Sequence, residues 1–474
     1  KAEANYQYNG SKSFIQNNLK GYLDFNKSKG RMTCDGRNTA MTVKPNKRSL
    51  TEDFQLSHTA ANNNVYHVES YWSYHYLPGQ LLTINKQTER LNLSFFSTQN
   101  ALLYKLKMGR HYLNNELDVN YDRQAIAVAM GEEAEQENTY QLFRVYWTPS
   151  MSFAFSKQQV VVKTRISYAH QAYRQSRTGH LWVDPSIQWN WKVSALSSFS
   201  ADVGYTNSPL TGKSIYDTPI FTTYRTQKIN QGKTAVTHDL RATATYKYAN
   251  PVWGVFLNVS PMYARTSGNI LYENVLNDRI FTIVATDKKR ATETTGLSGH
   301  ISKTFGWAKT LLGLGASFTT TDYCMLVTGK VNVARMTVTS VALNFSLRPT
   351  RLLSVEGRSS VSFNQQKNQT APQLSSGSTN DWEHRLNIHV FPANGWMLSI
   401  KNQLFHTNSE GIGTSFFLDL AMSYKTKRWE LTFSANNIIG SSKLEQHVLG
   451  NTIETYMATH LRPREFLVNW AIDL

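Results

Sequence analysis

A chain of 474 residues that is 41% hydrophobic is too poor in apolar side chains for a core-rich enzyme of that length, yet it carries 24 Tyr and 11 Trp. No apolar run reaches the roughly 18 residues that a transmembrane helix needs, so residence in a membrane would have to come from strands. Fifty Lys and Arg against 33 Asp and Glu give +17, spread through the chain in short clusters such as Lys44–Arg48 and Lys288–Arg290 rather than gathered into a nucleic-acid face.

From the N-terminus, Phe14–Asn26 and Leu50–His58 read as strands, separated by a polar loop between Lys27 and Arg48 that holds Gly30, Gly36 and Pro45. Val65–Tyr76, Arg90–Phe96, Ala101–Met108 and Leu113–Tyr121 follow as further strands, and Gly131–Asn138 is an acidic loop. In the middle, Trp253, Val255, Leu257 and Val259 alternate with Gly254, Phe256, Asn258 and Ser260. Val341, Leu343, Phe345 and Leu347 oppose Ala342, Asn344, Ser346 and Arg348; Leu353, Val355, Gly357, Val361 and Phe363 oppose Ser354, Glu356, Arg358 and Ser360. The pattern is cleanest between Trp382 and Leu474. There the apolar rows are Trp382 to Val390; Trp396, Leu398, Ile400 and Leu404; Phe416, Leu418, Leu420, Met422 and Tyr424; Trp429, Leu431, Phe433 and Ala435; and Phe466, Val468, Trp470, Ile472 and Leu474. A period of two is the mark of a strand, whose successive side chains point to opposite faces. Each run is about 9–11 residues, enough to cross a bilayer as a tilted strand.

The second face of these strands carries Glu356, Arg358, Arg385, Lys401, Asp419, Glu430 and Asn469. Charge of that density is costly against lipid and natural against a water-filled lumen. The expectation is therefore an inside-out barrel. Trp396, Leu398, Ile400, Phe416, Leu418, Leu420, Trp429, Leu431, Phe433, Phe466, Val468, Trp470 and Ile472 would face lipid, and the seven polar residues would face the lumen. Short turns at Thr148–Ser150, Asn250–Pro251, Gly306–Lys309, Arg348–Arg351, Pro392–Gly395 and Thr426–Arg428 alternate with longer polar stretches at Thr206–Gln231, Thr266–Arg290, Asn364–Asp381, Thr407–Thr414 and Ile438–Thr455. That alternation suits a meander with tight periplasmic turns and long extracellular loops. A propeller would repeat at blade length, and a sandwich of this size would need linkers; neither is present. The fold expected is all-β: residues 1–474 as one large transmembrane antiparallel up-and-down β-barrel of about 18–22 strands. Its least regular strands lie within 1–140, and its last strand, 466–474, should pair with the first. Outer-membrane lipids, lipopolysaccharide included, would be attracted to its basic rims. The aromatic groups Tyr71, Trp72, Tyr74 and Tyr76, and Trp189 with Trp191, read as a bilayer girdle rather than as platforms for sugar rings.

Motifs for chemistry are weak. Thr211-Gly212-Lys213-Ser214 resembles the end of a phosphate-binding loop, but the position that needs its first glycine is Asn207. Gly296-Leu297-Ser298-Gly299-His300 lacks the closing glycine of a nucleophile elbow and sits in a strand pattern. The 13 His are scattered, and His384 and His389 fall on opposite faces. Cys34 and Cys324, the two cysteines, form no disulfide framework. No enzyme activity, no cofactor, no metal site and no nucleic-acid partner is expected.

Two stretches carry a resemblance. Asn17-Asn18-Leu19-Lys20-Gly21-Tyr22-Leu23-Asp24-Phe25 and Leu461-Arg462-Pro463-Arg464-Glu465-Phe466-Leu467-Val468, with Asn436-Asn437-Ile438 before the last long loop, look like Bacteroidota outer-membrane β-barrel proteins of the TonB-dependent-receptor-like type. The resemblance implies an outer-membrane location and, in the transporter members, energised import of a bulky nutrient, with TonB as a partner if a plug precedes Lys1. The chain opens without Met or a signal-peptide pattern and reads as a processed or truncated product. It has no counterpart of the plug or of the TonB-contacting box after Lys1, and it ends in Leu474 rather than the aromatic residue of many such barrels. The function expected is nutrient uptake. The alternative is a non-transporting scaffold barrel in a larger complex, binding surface lipoproteins or another barrel.

Overall fold

Period-two rows need partners for every backbone N–H and C=O, and in a computed structural model of the chain they find them in neighbouring strands. The structure describes the chain outside residues 1, 10–12, 29, 46–51, 74–85, 109, 131–135, 175, 210–218, 224–225, 231–234, 278–279, 328, 371, 373–376, 409–412, 441–442, 450–453, 461–463 and 473–474. Side chains are described outside these and outside 2–108, 126–130, 136–137, 220–223, 226–227, 276–277, 280–281, 327, 443–449 and 454–460.

The strands are β1 (Ala2–Asn9), β2 (Ser13–Ser28), β3 (Gly30–Pro45), β4 (Glu52–Ser73), β5 (Lys86–Met108), β6 (His111–Met130), β7 (Gln136–Ala154), β8 (Gln158–Tyr173), β9 (Ser176–Lys192) and β10 (Ser197–Pro209). Short strands β11 (Ile220–Thr223) and β12 (Thr226–Ile229) lie in the next long connection, before β13 (Val236–Asn250) and β14 (Val255–Gly268). Short strands β15 (Leu271–Asn277) and β16 (Ile280–Thr286) precede β17 (Arg290–Phe305), β18 (Thr310–Val327), β19 (Lys330–Thr350), β20 (Leu353–Asn368), β21 (Gly377–Val390), β22 (Trp396–Thr407), β23 (Ser415–Lys425) and β24 (Trp429–Asn436). A separate hairpin, β25 (Lys443–Leu449) and β26 (Glu454–His460), comes before β27 (Glu465–Ile472).

Among the described residues, 25 strands form one sheet; without the four short loop strands β11, β12, β15 and β16, 21 of them remain as an antiparallel up-and-down barrel wall. That count falls in the expected range. Among the described residues β27 pairs with β24, and no ladder joins it to β1, so the expected closing pair is not present there. Phe466 to Ile472 are all exposed.

The N-terminal third corrects the strand boundaries. The polar loop expected between Lys27 and Arg48 is mostly β3, in register with β2 from Ser28↔Gly30 to Ser13↔Pro45. Two expected strands merge into β4, with a register shift between Asn63 and Tyr66, and two more merge into β5. Thr148–Ser150 is not a turn: β7 runs through it, and the β7–β8 ladder skips from Trp147↔Ile166 to Ser150↔Lys163 around Pro149. A proline lacks the N–H that a ladder needs, so it interrupts pairing without ending the strand.

Following partners from ladder to ladder carries one face right round the wall. Val119 meets Val145, Val145 meets Tyr168, Val162 meets Ile187, and Trp191 meets Phe199. Tyr246 meets Val259, Pro261 meets Leu297, Leu297 meets Phe318, and Val341 meets Val361. Val355 meets Ile388, Ile400 meets Leu420, and Leu431 meets Trp470. Large apolar side chains stand exposed along this face, among them Leu181 at 72%, Leu297 at 51% and Trp470 at 68%. The buried cluster Tyr140, Leu142, Ala169 and Tyr173, with Ser167 and Gln171, sits on the opposite, polar face. This inverts the usual soluble arrangement.

At the turn end of the apolar face, aromatic rings collect. Trp189 stacks on Trp191 at 5.9 Å and meets Phe199 edge-on at 5.3 Å. Trp396, Tyr424 and Trp429 form a second group, with centroids 4.8 Å and 5.4 Å apart. At the loop end the same face turns charged, where Asp322 holds Arg335 through two bonds of 2.7 Å. Tyr74 and Tyr76 lie outside the described residues, as do the side chains of Tyr71 and Trp72.

Candidate functional site

The thirteen residues expected to face lipid lie on the apolar face. Trp396 opposes Tyr424, Leu398 opposes Met422, Trp429 opposes Ile472, and Phe433 opposes Val468. The seven polar residues share the other face. Glu356 lies opposite Asn387, Lys401 opposite Asp419, and Asn469 opposite Thr432. Glu430 pairs with Lys425 at 3.3 Å, and the Asp419 carboxylate accepts the Asn437 N–H at 2.7 Å. Arg358 and Arg385 stand directly opposite one another, a like-charge pair that is unfavourable by itself; Arg385 is ion-paired to Glu383. Glu356, Arg358 and Arg385 line one cavity of about 400 Å³ together with His300, Asn344 and Asn387. The structure brings these three together and leaves Lys401, Asp419, Glu430 and Asn469 apart from that cavity.

A second polar system was not singled out from the sequence. Arg144 of β7 binds Asp122 of β6 at 2.7 Å, and its guanidinium lies 5.7 Å from the Tyr146 ring. Arg165 of β8 packs over the same ring at 5.1 Å and makes two bonds, 2.9 and 2.6 Å, to Asp184 of β9. The other Asp184 oxygen accepts the Asn207 backbone N–H at 3.0 Å and its amide at 2.6 Å, and Asn207 meets His238 at 2.5 Å. The rule of two that found Glu356 and Arg358 also covers Arg144, Arg165 and Asp184, which alternate with Val145, Ile166 and Val183. Their pairing across strands was not visible.

At Asp184 the wall changes character. The β9–β10 ladder is regular up to Ser186↔Gly204 and stops there. Beyond it the Asp184 side chain takes over the Asn207 N–H that β9 backbone would have received. On the loop side of this break, His180 and Trp182 from the polar face of β9 share a cavity of about 590 Å³ with Val236, His238, Arg265, Ser267, Ala291 and Cys324. By register, His238, Arg265 and Cys324 continue the apolar-face rows of β13, β14 and β18. Residues of both faces thus line one cavity past the end of the β9–β10 ladder. Gly268 and Arg290, at the ends of β14 and β17, and Asn269 and Lys289, from the connection between them, complete the lining. In the same long connection, the Tyr272 hydroxyl donates to Asn230 at 3.2 Å under the Lys228 ammonium, 4.8 Å from the ring. Burial pushes the Tyr272 hydroxyl above its ordinary pKa, against the opposing pull of Arg290.

No family model and no curated protein sequence matches the chain. Solved structures do. The FpvAI–pyocin S2 complex aligns with a TM-score of 0.50 at 11% identity, covering 98% of this chain and 64% of that one. The copper transporter OprC aligns at 0.46 and 8% identity over 92% of this chain and 71% of its own. The outer membrane transporter YddB from Escherichia coli aligns at 0.43 and 8% identity over 99% and 74%. What this chain shares with FpvAI at that identity is the fold, an antiparallel up-and-down β-barrel.

Proposed function

We propose that this chain is a bacterial outer-membrane barrel that takes up a solute, with its apolar face in lipid and its polar face lining the lumen. One observation carries the reading. The ladders join the apolar rows into a single exposed face with clustered aromatics at the turn end, while Asp122, Arg144, Arg165, Asp184, Glu356, Arg358 and Arg385 lie on the other. Such a molecule is unstable in water and stable across a bilayer about 25 Å thick in its apolar band. On this reading Lys401, Asp419, Glu430 and Asn469 also contact lumen water. Uptake is supported by the sequence resemblance together with a cavity of about 400 Å³ on the polar face and one of about 590 Å³ lined by residues of both faces.

The test is expression with an outer-membrane leader, followed by fractionation and gel migration with and without heating. Recovery in the outer membrane as a heat-modifiable band is expected; a chain soluble without detergent would overturn the reading. Uptake is tested by accumulation of labelled solutes in cells with and without the native gene. Loss of accumulation supports transport. Unchanged accumulation together with stable copurification of a surface lipoprotein would favour the scaffold role.

A further inference from the structure

The cavity behind β9 is unusual in its charge. Arg265, Lys289 and Arg290 line it, no carboxylate does, and none of the three is in an ion pair among the described residues. Cations gathered in one recess repel each other and favour any oxyanion that enters; Arg265 and Lys289 are exposed and Arg290 half-buried, so this attraction is screened by salt. Guanidinium groups match phosphate and carboxylate by their paired donors. The floor is aromatic: His180 stacks on Trp182 at 5.4 Å and 8°. The walls are held in place, since His238 is bonded to Asn207, which the Asp184–Arg165 pair anchors in turn. A volume of about 590 Å³ lies in the range of sites for small molecules.

We propose that this cavity binds a small molecule bearing two or more phosphate or carboxylate groups, with Arg265 and Arg290 on the anion and Trp182 against its ring or carbon skeleton. The inference names a substrate class for the uptake reading and rests on that reading only for what happens after binding. Binding itself belongs to the purified chain.

The experiment uses the full chain in lipopolysaccharide-free detergent, with adenosine triphosphate as a polyanionic, ring-bearing probe and adenosine as its neutral counterpart, followed by calorimetry. Adenosine triphosphate should bind, more weakly as salt rises, and adenosine should not. Arg265→Gln with Arg290→Gln should weaken binding at least tenfold while the heat-modifiable band stays unchanged. Cys324 gives an independent reporter. In a Cys34→Ser background, the probe should slow maleimide modification of Cys324 several-fold. Equal affinity in the variant, or unprotected Cys324 at saturating probe, overturns the proposal. A parallel arm offers lipopolysaccharide micelles. Protection by these and not by the soluble probe would make the anion a lipid headgroup and remove the solute. Binding without cellular uptake of the same probe would sink the uptake reading and leave the site standing; uptake without binding would do the reverse.

Discussion

Gly357 has no room for a side chain. A β-carbon built there would lie 2.3 Å from the ring of Phe345, its direct partner across the β19–β20 ladder. The ring covers the glycine and fills the gap its missing side chain would leave, the pairing that lets glycine sit inside a strand. Gly357→Val should therefore lower stability by about 1–3 kcal/mol, the usual range for overpacking. Urea unfolding of the refolded barrel, followed by Trp fluorescence, measures it, and Phe345→Ala in the same chain should restore part of the loss. Equal midpoints for wild type and Gly357→Val would mean that the ring is free to move away. Asp184 is a different residue-scale case. Its side chain is 4% exposed and that of Arg165 is 32% exposed. Removing the carboxylate leaves one guanidinium and the Asn207 donors unpaired. Asp184→Ala should cost about 3 kcal/mol, near the low end for a broken buried pair because Arg165 keeps some water. The double variant Asp184→Ala, Arg165→Leu should lose less than Asp184→Ala alone; if it loses more, the pair is not what makes the single change severe.

At the level of the element, β27 tests the apolar face most directly. Phe466, Val468 and Trp470 are 74%, 66% and 68% exposed and oppose Ala435, Phe433 and Leu431. An arginine at Val468 would place its charge in the middle of that row. If lipid covers the face, Val468→Arg lowers folding stability in bilayers by about 2–4 kcal/mol. Leu467→Arg, on the other face of the same strand, should be tolerated far better. A neutral Val468→Arg in vesicles would mean that this row is not in lipid. The C-terminal strands were legible in the sequence because most residues obey the rule of two, with an apolar row on one side and charge on the other; Phe405, Phe417 and Leu467 on the polar face are exceptions too few to hide it. The N-terminal boundaries were not. The polar Ser97–Asn100 falls between two expected strands, yet it continues β5, and Gly30 and Gly36 read as loop but lie in β3. Strand extensions beyond the apolar band need no apolar row, so their sequences lose the very signal that marks a strand. The 590 Å³ cavity was illegible for another reason. It gathers His180, His238, Arg265 and Cys324 from four strands, through a break in pairing at Gly204 that no local pattern announces.

For the whole molecule, the register makes a claim about sidedness. Strands that alternate direction put every second connection on the same side. The connections 155–157, 193–196, 251–254, 306–309, 351–352, 391–395 and 426–428 fall on one side and are short. The connections between β10 and β13, β14 and β17, and β24 and β27 fall on the other, and these are long enough to hold strands of their own. Two connections on the long side, at 174–175 and 328–329, are tight hairpins, so extended strands as well as loops project there. If the barrel spans an outer membrane, the rule that short turns are periplasmic predicts its orientation. A peptide epitope inserted after Asn408, in the β22–β23 connection, should be labelled by antibody on intact cells. The same epitope inserted after Pro392, in the β21–β22 turn, should be labelled only after the outer membrane is opened. Gly395 at that turn has φ +83° and its missing β-carbon would lie 2.5 Å from the Lys425 carbonyl, so the insertion belongs before it rather than at it. Labelling of both on intact cells would place both ends outside and remove the barrel from the membrane. Labelling of the Pro392 insertion alone would keep the barrel and turn it over, and would place the cationic cavity behind β9 in the periplasm, out of reach of an external solute.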